Sequence, residues 1–302
     1  MHAPTDFSGQ KAQPMRFHLS GRSVDLDRRI HAVRGDLADV SLAGLLFAPH
    51  YAKAKPMHCA TSAAYVRKAP SAEAVAVSQI LAGEGFHVLD IAGGWAWGFC
   101  EHDGYVGYVD AAMLADGLYV ATHRIMVRSA PAFASADIKS PVMATLSAGA
   151  RVGGEISGDF LMTALGAVHK RHLVPIDVTD RDWVIPAMRQ MGQPYVWGGR
   201  GHDGIDCSGL VQIALAQAGL RVPRDSDMQR EGIGEAIPDD APLRRGDFLF
   251  FPGHVGIMVD EARLLHANAY WMGTVVEPLV DVIARLQPDH EEPVLARRRI
   301  MS

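Results

Sequence analysis

Apolar side chains at Leu210, Val211, Ala214, Leu215 and Ala218 have the spacing of one buried helix face. Gly219 stands where a left-handed residue ends such a helix. Upstream, Gly198, Gly199, Gly201 and Gly204 read as loop, which puts Cys207 in the first turn. Downstream the pattern shortens to strand-length runs. His254 opens one at residues 255–259, His266 lies inside Leu264-Leu265-His266-Ala267, and Asp260-Glu261-Ala262 between them reads as the turn of a β-hairpin. Residues 247–251, 275–277 and 294–300 also read as strands, and 279–286 as a short helix. Before the glycines, Trp183, Val184, Ala187, Met188 and Met191 fit a helix started by Asp180 or Asp182, with Pro186 in its first turn or bending it. A cysteine-bearing helix followed by antiparallel strands is the α+β order.

The first half of the chain is patterned differently. Ala60-Thr61 with Val66-Arg67-Lys68-Ala69-Pro70 returns as Ala121-Thr122 with Val127-Arg128-Ser129-Ala130-Pro131. Short strands and glycine turns at such a repeat suggest two small β-barrels. In the first copy, Trp95, Trp97, Tyr105 and Tyr108 alternate as strand residues do, and Asp103-Gly104 suits a hairpin turn. Two of the four aromatics are expected in the core and the others exposed or facing a site. The second copy lacks the Trp and Gly-Tyr pairs, which favours a structural role. Residues 36–45 read as a short helix ending near Gly44.

Composition bounds the rest. At 302 residues and 48% apolar, the chain is globular and holds two or three domains. A formal charge of −5 argues against a nucleic-acid surface. Arg297-Arg298-Arg299 reads as a solvated strand edge. No stretch reaches the ~20 apolar residues of a membrane span, and residues 1–22 lack the apolar centre of a secretory signal. Three cysteines at 59, 100 and 207 show no metal spacing, and an odd count fits a reducing compartment. These features set the expectation of a cytoplasmic protein. Cys59 and Cys100 read as packing residues.

The candidate chemistry centres on Cys207. At a helix start, free amides and the helix dipole lower a thiol pKa and hold an oxyanion; the alternative is a cysteine that only packs. A thiolate needs a base, and the base an orienting group. With the hairpin turn centred on Asp260, position 254 faces position 266, close enough for one imidazole to orient the other.

In order, Asp206-Cys207-Ser208-Gly209-Leu210-Val211, Gly253-His254-Val255-Gly256-Ile257 and Leu265-His266-Ala267 resemble the NlpC-type cell-wall peptidases, papain-like enzymes that cut peptidoglycan peptides. Tyr195-Val196-Trp197-Gly198-Gly199 and Arg245-Gly246-Asp247-Phe248 extend the likeness. The resemblance implies Cys207 as nucleophile, His254 as general base and His266 as the polar third residue, with no metal or cofactor. The N-terminal repeats resemble the bacterial SH3-like domains that accompany such enzymes. The expected layout is a lead-in (1–57), two SH3-like barrels (58–117 and 118–177) and an α+β papain-like peptidase domain (178–302). Gly83-Glu84 and Arg224-Asp225-Ser226 match positions of a tripartite subgroup similar to γ-D-glutamyl-L-diamino acid endopeptidases. That subgroup cuts between γ-D-Glu and meso-diaminopimelate or L-Lys in free peptides with an unblocked L-Ala. By this likeness Glu84, Tyr105 and Asp225 hold the L-Ala ammonium and close the end of the cleft, Arg224 and Ser226 belong to the same binding set, and Asp206 and Ser208 flank the γ-D-Glu. The partner is then a peptidoglycan-derived peptide in wall recycling, with no nucleic acid or membrane. Two alternatives remain at this level: a papain-like amidase or acyltransferase on another substrate, and a wall-peptide binding module without catalysis.

Overall fold

The structure is a computed structural model and describes residue 24 and residues 26–301; the signal-segment question concerns residues outside that range. No described helix is long and apolar enough to cross a membrane.

The C-terminal part is built on a six-stranded antiparallel sheet. Its order is Glu235–Ala236, Ala296–Arg299, Phe248–Phe251, His254–Met258, Arg263–Asn268, Gly273–Pro278. Helices α1 (Val184–Met188), α2 (Cys207–Gln217), α3 (Ser226–Gly232) and α4 (Leu279–Leu286) surround it. The run Phe248-Leu249-Phe250-Phe251 shows why the sheet reads as continuously apolar. Phe248 and Phe250 join Leu210, Val211 and Leu215 of α2 in one cluster, whereas Leu249 and Phe251 join Leu279 and Val282 of α4 in another. A strand buried on both faces has no polar alternation to show.

Helix α2 departs from its pattern. One buried face was expected, but every residue of it except Ala216 is buried. The reason is a second layer: Leu81, Ile125 and Leu146 of the β units share the cluster that contains Ile213. A helix enclosed on all sides has little need of a polar face. Gly219 ends it with φ +80°, as expected.

The first β unit is a seven-stranded antiparallel sheet running from Lys55–Cys59 to Leu114–Asp116. Its first strand straddles the expected boundary at 57/58. Gly104, at φ +75°, makes the Asp-Gly turn between Trp95–Cys100 and Val106–Asp110. Gly98 is required by contact, because a Cβ there would stand 1.9 Å from the carbonyl oxygen of His87. Trp97 and Tyr105 are buried and Trp95 and Tyr108 partly exposed, the division expected. Cys59 and Cys100 are buried and free.

The second β unit, with sheets of five and three strands, repeats the succession of strands but not at the offset the sequence suggested. Strand Ala63–Arg67 has its counterpart in Ser129–Phe133, and Ala76–Leu81 in Val142–Ser147. Each start is displaced by 66 positions (129 − 63 and 142 − 76), whereas the matched residues lie 61 apart (127 − 66). Val66 lies within its strand and Val127 precedes one, so the similar words occupy different places. The lead-in also differs from expectation. Instead of a helix it forms strand Leu37–Asp39, parallel to His50–Ala52, followed by one 3-10 turn at Val40–Leu42. Arg34 lies over the Trp97 ring at 4.7 Å, fixing the lead-in to the first unit. Nor do the C-terminal arginines form a solvated edge. Their strand is interior to the sheet, Arg297 donates to the carbonyls of Pro238, Asp239 and Ala241, and Arg299 pairs with buried Asp247 at 2.7 Å.

A buried polar seam joins the first unit to the C-terminal part. Arg200, 2% exposed, donates to Glu84 Oε2 at 2.8 Å, Glu84 Oε1 at 3.2 Å and the Gln79 carbonyl at 2.7 Å. Burial raises the Glu84 carboxyl pKa, but the charges of Arg200 and His102 override it and hold it at about 2. The folded value lies below the ordinary 4.5, so this contribution is complete above that pH and is lost as pH falls towards 2. Glu84→Ala leaves Arg200 buried and unpaired, and urea unfolding at neutral pH should show a loss of ~3–5 kcal/mol. An unchanged midpoint would show that the seam contributes nothing.

Candidate active site

Asp206 builds the start of α2. Its backbone is extended, and its Oδ1 accepts from the Gly209 amide at 2.7 Å, a side-chain N-cap. The same carboxylate accepts from the Gly198 amide at 2.9 Å and from Arg224, 3.0 Å to Oδ1 and 2.6 Å to Oδ2. Arg224 is 1% exposed and also donates to Ser208 Oγ at 2.7 Å and Ser78 Oγ at 3.2 Å. One guanidinium therefore holds the residues on both sides of Cys207 and ties them to the first β unit. Burial would lower its pKa, but Asp206 more than compensates.

Cys207 is 7% exposed. Burial and then the Asp206 charge push its thiol up to about 12, opposed by the amides of Val255 and Ser208 and by the Arg224 charge. This corrects the expectation of a thiol pKa lowered by the helix start: in the resting cleft, desolvation and a neighbouring carboxylate outweigh the helix end. His254 is held down to about 3 by burial and then by His266, against Glu277. Both shifts favour the neutral thiol and the neutral imidazole over the ion pair at rest.

The hairpin register also differs from expectation. Ile257 pairs with Leu265 and Met258 with Leu264. Extending that ladder sets Gly256 opposite His266 and leaves His254 diagonal to it. The shift is two residues, so both rings stay on one face. His254 Nε2 and His266 Nδ1 lie 2.8 Å apart.

Sequence reasoning missed the next member. His266 Nε2 is 2.8 Å from Glu277 Oε1, and Arg285 grips the same carboxylate at both oxygens. Burial would raise Glu277, but hydrogen bonds from Arg285, Trp271 and His266 bring it to about 2. The carboxylate accepts only, and this fixes both tautomers. His266 donates from Nε2 and accepts at Nδ1, and His254 donates from Nε2. The free lone pair of His254 is therefore at Nδ1. The available signal was the strand alternation that puts Glu277 on the face of His266, with Arg285 in the following helix.

A cavity of about 250 Å³ brings together Cys207, Asp206, Ser208, Arg224, Asp225, Ser226 and Tyr105, with Tyr195 and Trp197. Tyr105, rather than Tyr108, faces it, donating to Asp225 Oδ2 at 2.9 Å. Burial and Asp225 both raise the Tyr105 pKa, keeping its hydroxyl a donor. Glu84 is a correction: it lies outside this cavity, with its carboxylate bound to Arg200 and the Leu81 amide. The turn carrying it packs beside Arg151, whose carbonyl would stand 2.4 Å from a Cβ at Gly83. A residue of the lead-in lies behind the acidic end instead. Arg29 Nη1 donates to Asp225 Oδ2 and Asp227 Oδ1, both at 2.9 Å, and its carbonyl accepts from the Val106 amide at 2.7 Å.

Comparison with known proteins assigns families to two stretches of the chain. Residues 192–279 match the NlpC/P60 family, and residues 66–114 match the bacterial dipeptidyl-peptidase Sh3 domain. A probable endopeptidase of Mycobacterium tuberculosis is 36% identical over 104 residues, 33% of this chain and 26% of the relative. The γ-D-glutamyl-L-lysine dipeptidyl-peptidase of Bacillus subtilis is 31% identical over 120 residues, 37% of this chain and 38% of the relative. The matches thus span about a quarter to two fifths of these relatives' length. An NlpC/P60 family protein from Bacillus cereus shares the fold at TM-score 0.68 and 18% identity, over 82% of this chain and 100% of that one.

Iodoacetamide should label Cys207 before Cys59 and Cys100, which lie in the core of the first unit. With the thiol pKa raised, the labelling rate should climb about tenfold per pH unit through neutrality, following the thiolate fraction. A rate independent of pH from about 5 to 9 would reveal a preformed thiolate and contradict the neutral resting pair.

Proposed function

We propose that this chain, which carries an NlpC/P60 domain behind a bacterial SH3 domain, is a cysteine peptidase with Cys207 as nucleophile. The observation that carries the reading is the chain of hydrogen bonds from Glu277 through His266 to His254, ending on a base nitrogen in the strand whose Val255 amide meets the Cys207 sulfur. In the proposed cycle, His254 Nδ1 takes the thiol proton as sulfur attacks the scissile carbonyl. First-turn amides of α2 stabilise the oxyanion. The leaving amine collects the proton, and water then hydrolyses the thioester. His266 orients the base, and Glu277 fixes the tautomer of His266 and stabilises the charge that forms. Desolvation makes separate charges costly at rest but strengthens the attraction between thiolate and imidazolium once both form.

The proposed substrate is a peptidoglycan-derived peptide with a free N-terminal L-Ala, cut between γ-D-Glu and a diamino acid. Asp225 supports this, as a carboxylate at one end of the cleft that, among the described residues, shares only its Oδ2 with the side chains of Tyr105 and Arg29. Its Oδ1 is left to meet an ammonium. Asp206 and Ser208 are held by Arg224 and shape the wall beside the γ-D-Glu. The second β unit is proposed as a second, degenerate SH3-like barrel, with units at 58–117 and 118–177. A cytoplasmic role in wall-peptide recycling is part of the same proposal, and fractionation of the native host tests it.

Incubation with L-Ala-γ-D-Glu-diaminopimelate should release L-Ala-D-Glu, read by mass spectrometry, and Cys207→Ala should release none. Acetylating the substrate amine should lower kcat/KM about ten- to a hundredfold, the worth of one charge-assisted hydrogen bond. Asp225→Asn should lower turnover of the free peptide similarly. Equal turnover of free and acetylated peptides would contradict the ammonium site.

Glu277→Gln should lower kcat about tenfold or more with KM little changed, because a neutral amide no longer fixes the His266 tautomer or offsets the developing charge. Unchanged kcat would remove Glu277 from the proposed relay.

A further inference from the structure

A second cavity, of about 330 Å³, lies apart from the Cys207 cleft, where both β units meet the C-terminal end of α2. Its volume is in the range of small-molecule sites. Its polar wall is cationic. Arg124 and Arg151 come from the second unit and Arg200 and Arg221 from the catalytic part, and the one lining carboxylate is Glu84, already bound by Arg200.

Arg124 is 7% exposed. Its Nη2 donates to the Gln217 carbonyl at 2.9 Å, a neutral acceptor, and its Nε finds no partner among the described residues. Burial lowers its pKa, and the charge of Asp180 offsets this only in part. Gln217 is 1% exposed, and both polar atoms of its amide lack a partner among the described residues, as do Arg200 Nε and Gln212 Oε1. All these side chains line the same cavity. Buried polar groups are ordinarily bonded, and buried charges paired. Here several sit beside one space, and the arginines that line it outnumber its carboxylate among the described residues. Leu220 and Arg221 at its rim are exposed, so the cavity opens to solvent, and Ile176 and Val222 give it an apolar side.

We propose that this cavity binds a small dianionic molecule, one bearing a phosphate or paired carboxylates, with Arg124 and Arg221 as its charge partners. Arginine forks match both oxyanions in a bidentate way. A peptide ammonium, the group sought by the Cys207 cleft, meets the wrong sign here. The site stands whether or not the peptidase reading holds. A bound dianion would fasten both β units to the end of α2 whose other end carries Cys207, so it adds to stability in proportion to its occupancy.

The test is thermal unfolding of the full chain in chloride buffer of matched ionic strength, titrated separately with inorganic phosphate, pyrophosphate and glutarate. A saturable rise in Tm with at least one is expected. A response to the phosphates alone assigns a phosphorylated ligand, and to glutarate alone a dicarboxylate. Arg221→Gln, at an exposed position, should weaken the apparent affinity about tenfold or more, and Arg124→Gln likewise. Arg263→Gln, remote from the cavity, should leave it unchanged. Because Arg124 also holds the end of α2, Arg221→Gln decides if the Arg124 variant fails to fold. No saturable rise with any of the three anions, or a rise of equal affinity in Arg221→Gln, overturns the proposal.

Discussion

The buried ion pair of Arg224 with Asp206 is the interaction on which the rest of the site depends. Asp206 caps α2 and so sets the position of Cys207, but a bare carboxylate next to a thiol opposes ionisation. Arg224 supplies the countercharge, fixes Ser208 on the far side of the cysteine and reaches Ser78 in the first β unit. Removing either partner of such a pair leaves a buried charge uncompensated. Cap geometry, thiol electrostatics and placement of the N-terminal units are therefore coupled through one side chain.

From that point the structure works outward in two directions. Along the sheet, Arg285 keeps Glu277 ionised, Glu277 sets the tautomer of His266, and His266 sets that of His254. Towards the N-terminus, Tyr105 and Arg29 converge on Asp225, so the acidic end of the cleft is composed from the C-terminal part, the first β unit and the lead-in. The enclosed helix α2 lies at the centre of this assembly, packed by the sheet on one side and by the β units on the other.

Much of this was legible in the sequence. The glycine loop, the helix starting at Cys207 and the histidine hairpin follow from hydrophobic spacing and turn residues, and the proposed chemistry rests on the resemblance of ordered motifs. The exact pairing was less legible: a turn fixed by eye at Asp260 missed the register by two, although face parity survived. Glu277 escaped because a lone acid in a strand looks like a solvated residue until the neighbouring strand is known. Arg29 gave no signal, since its partners Asp225 and Asp227 are nearly two hundred positions away in a polar segment without periodicity. Glu84 shows the opposite failure. A motif match placed it at the cleft, but a carboxylate beside buried Arg200 is held by that charge, and backbone contacts at Gly83 fix the turn. The 61-residue spacing of the similar words differs from the strand succession, which repeats at 66.

The central claim is covalent chemistry at Cys207. Acid quenching during turnover of L-Ala-γ-D-Glu-diaminopimelate, followed by peptide mapping, tests it directly. A thioester adduct of the mass of L-Ala-D-Glu on the fragment containing Cys207, absent from Cys207→Ala, is the predicted result. Peptide release that persists in Cys207→Ala with no adduct in either protein would contradict it.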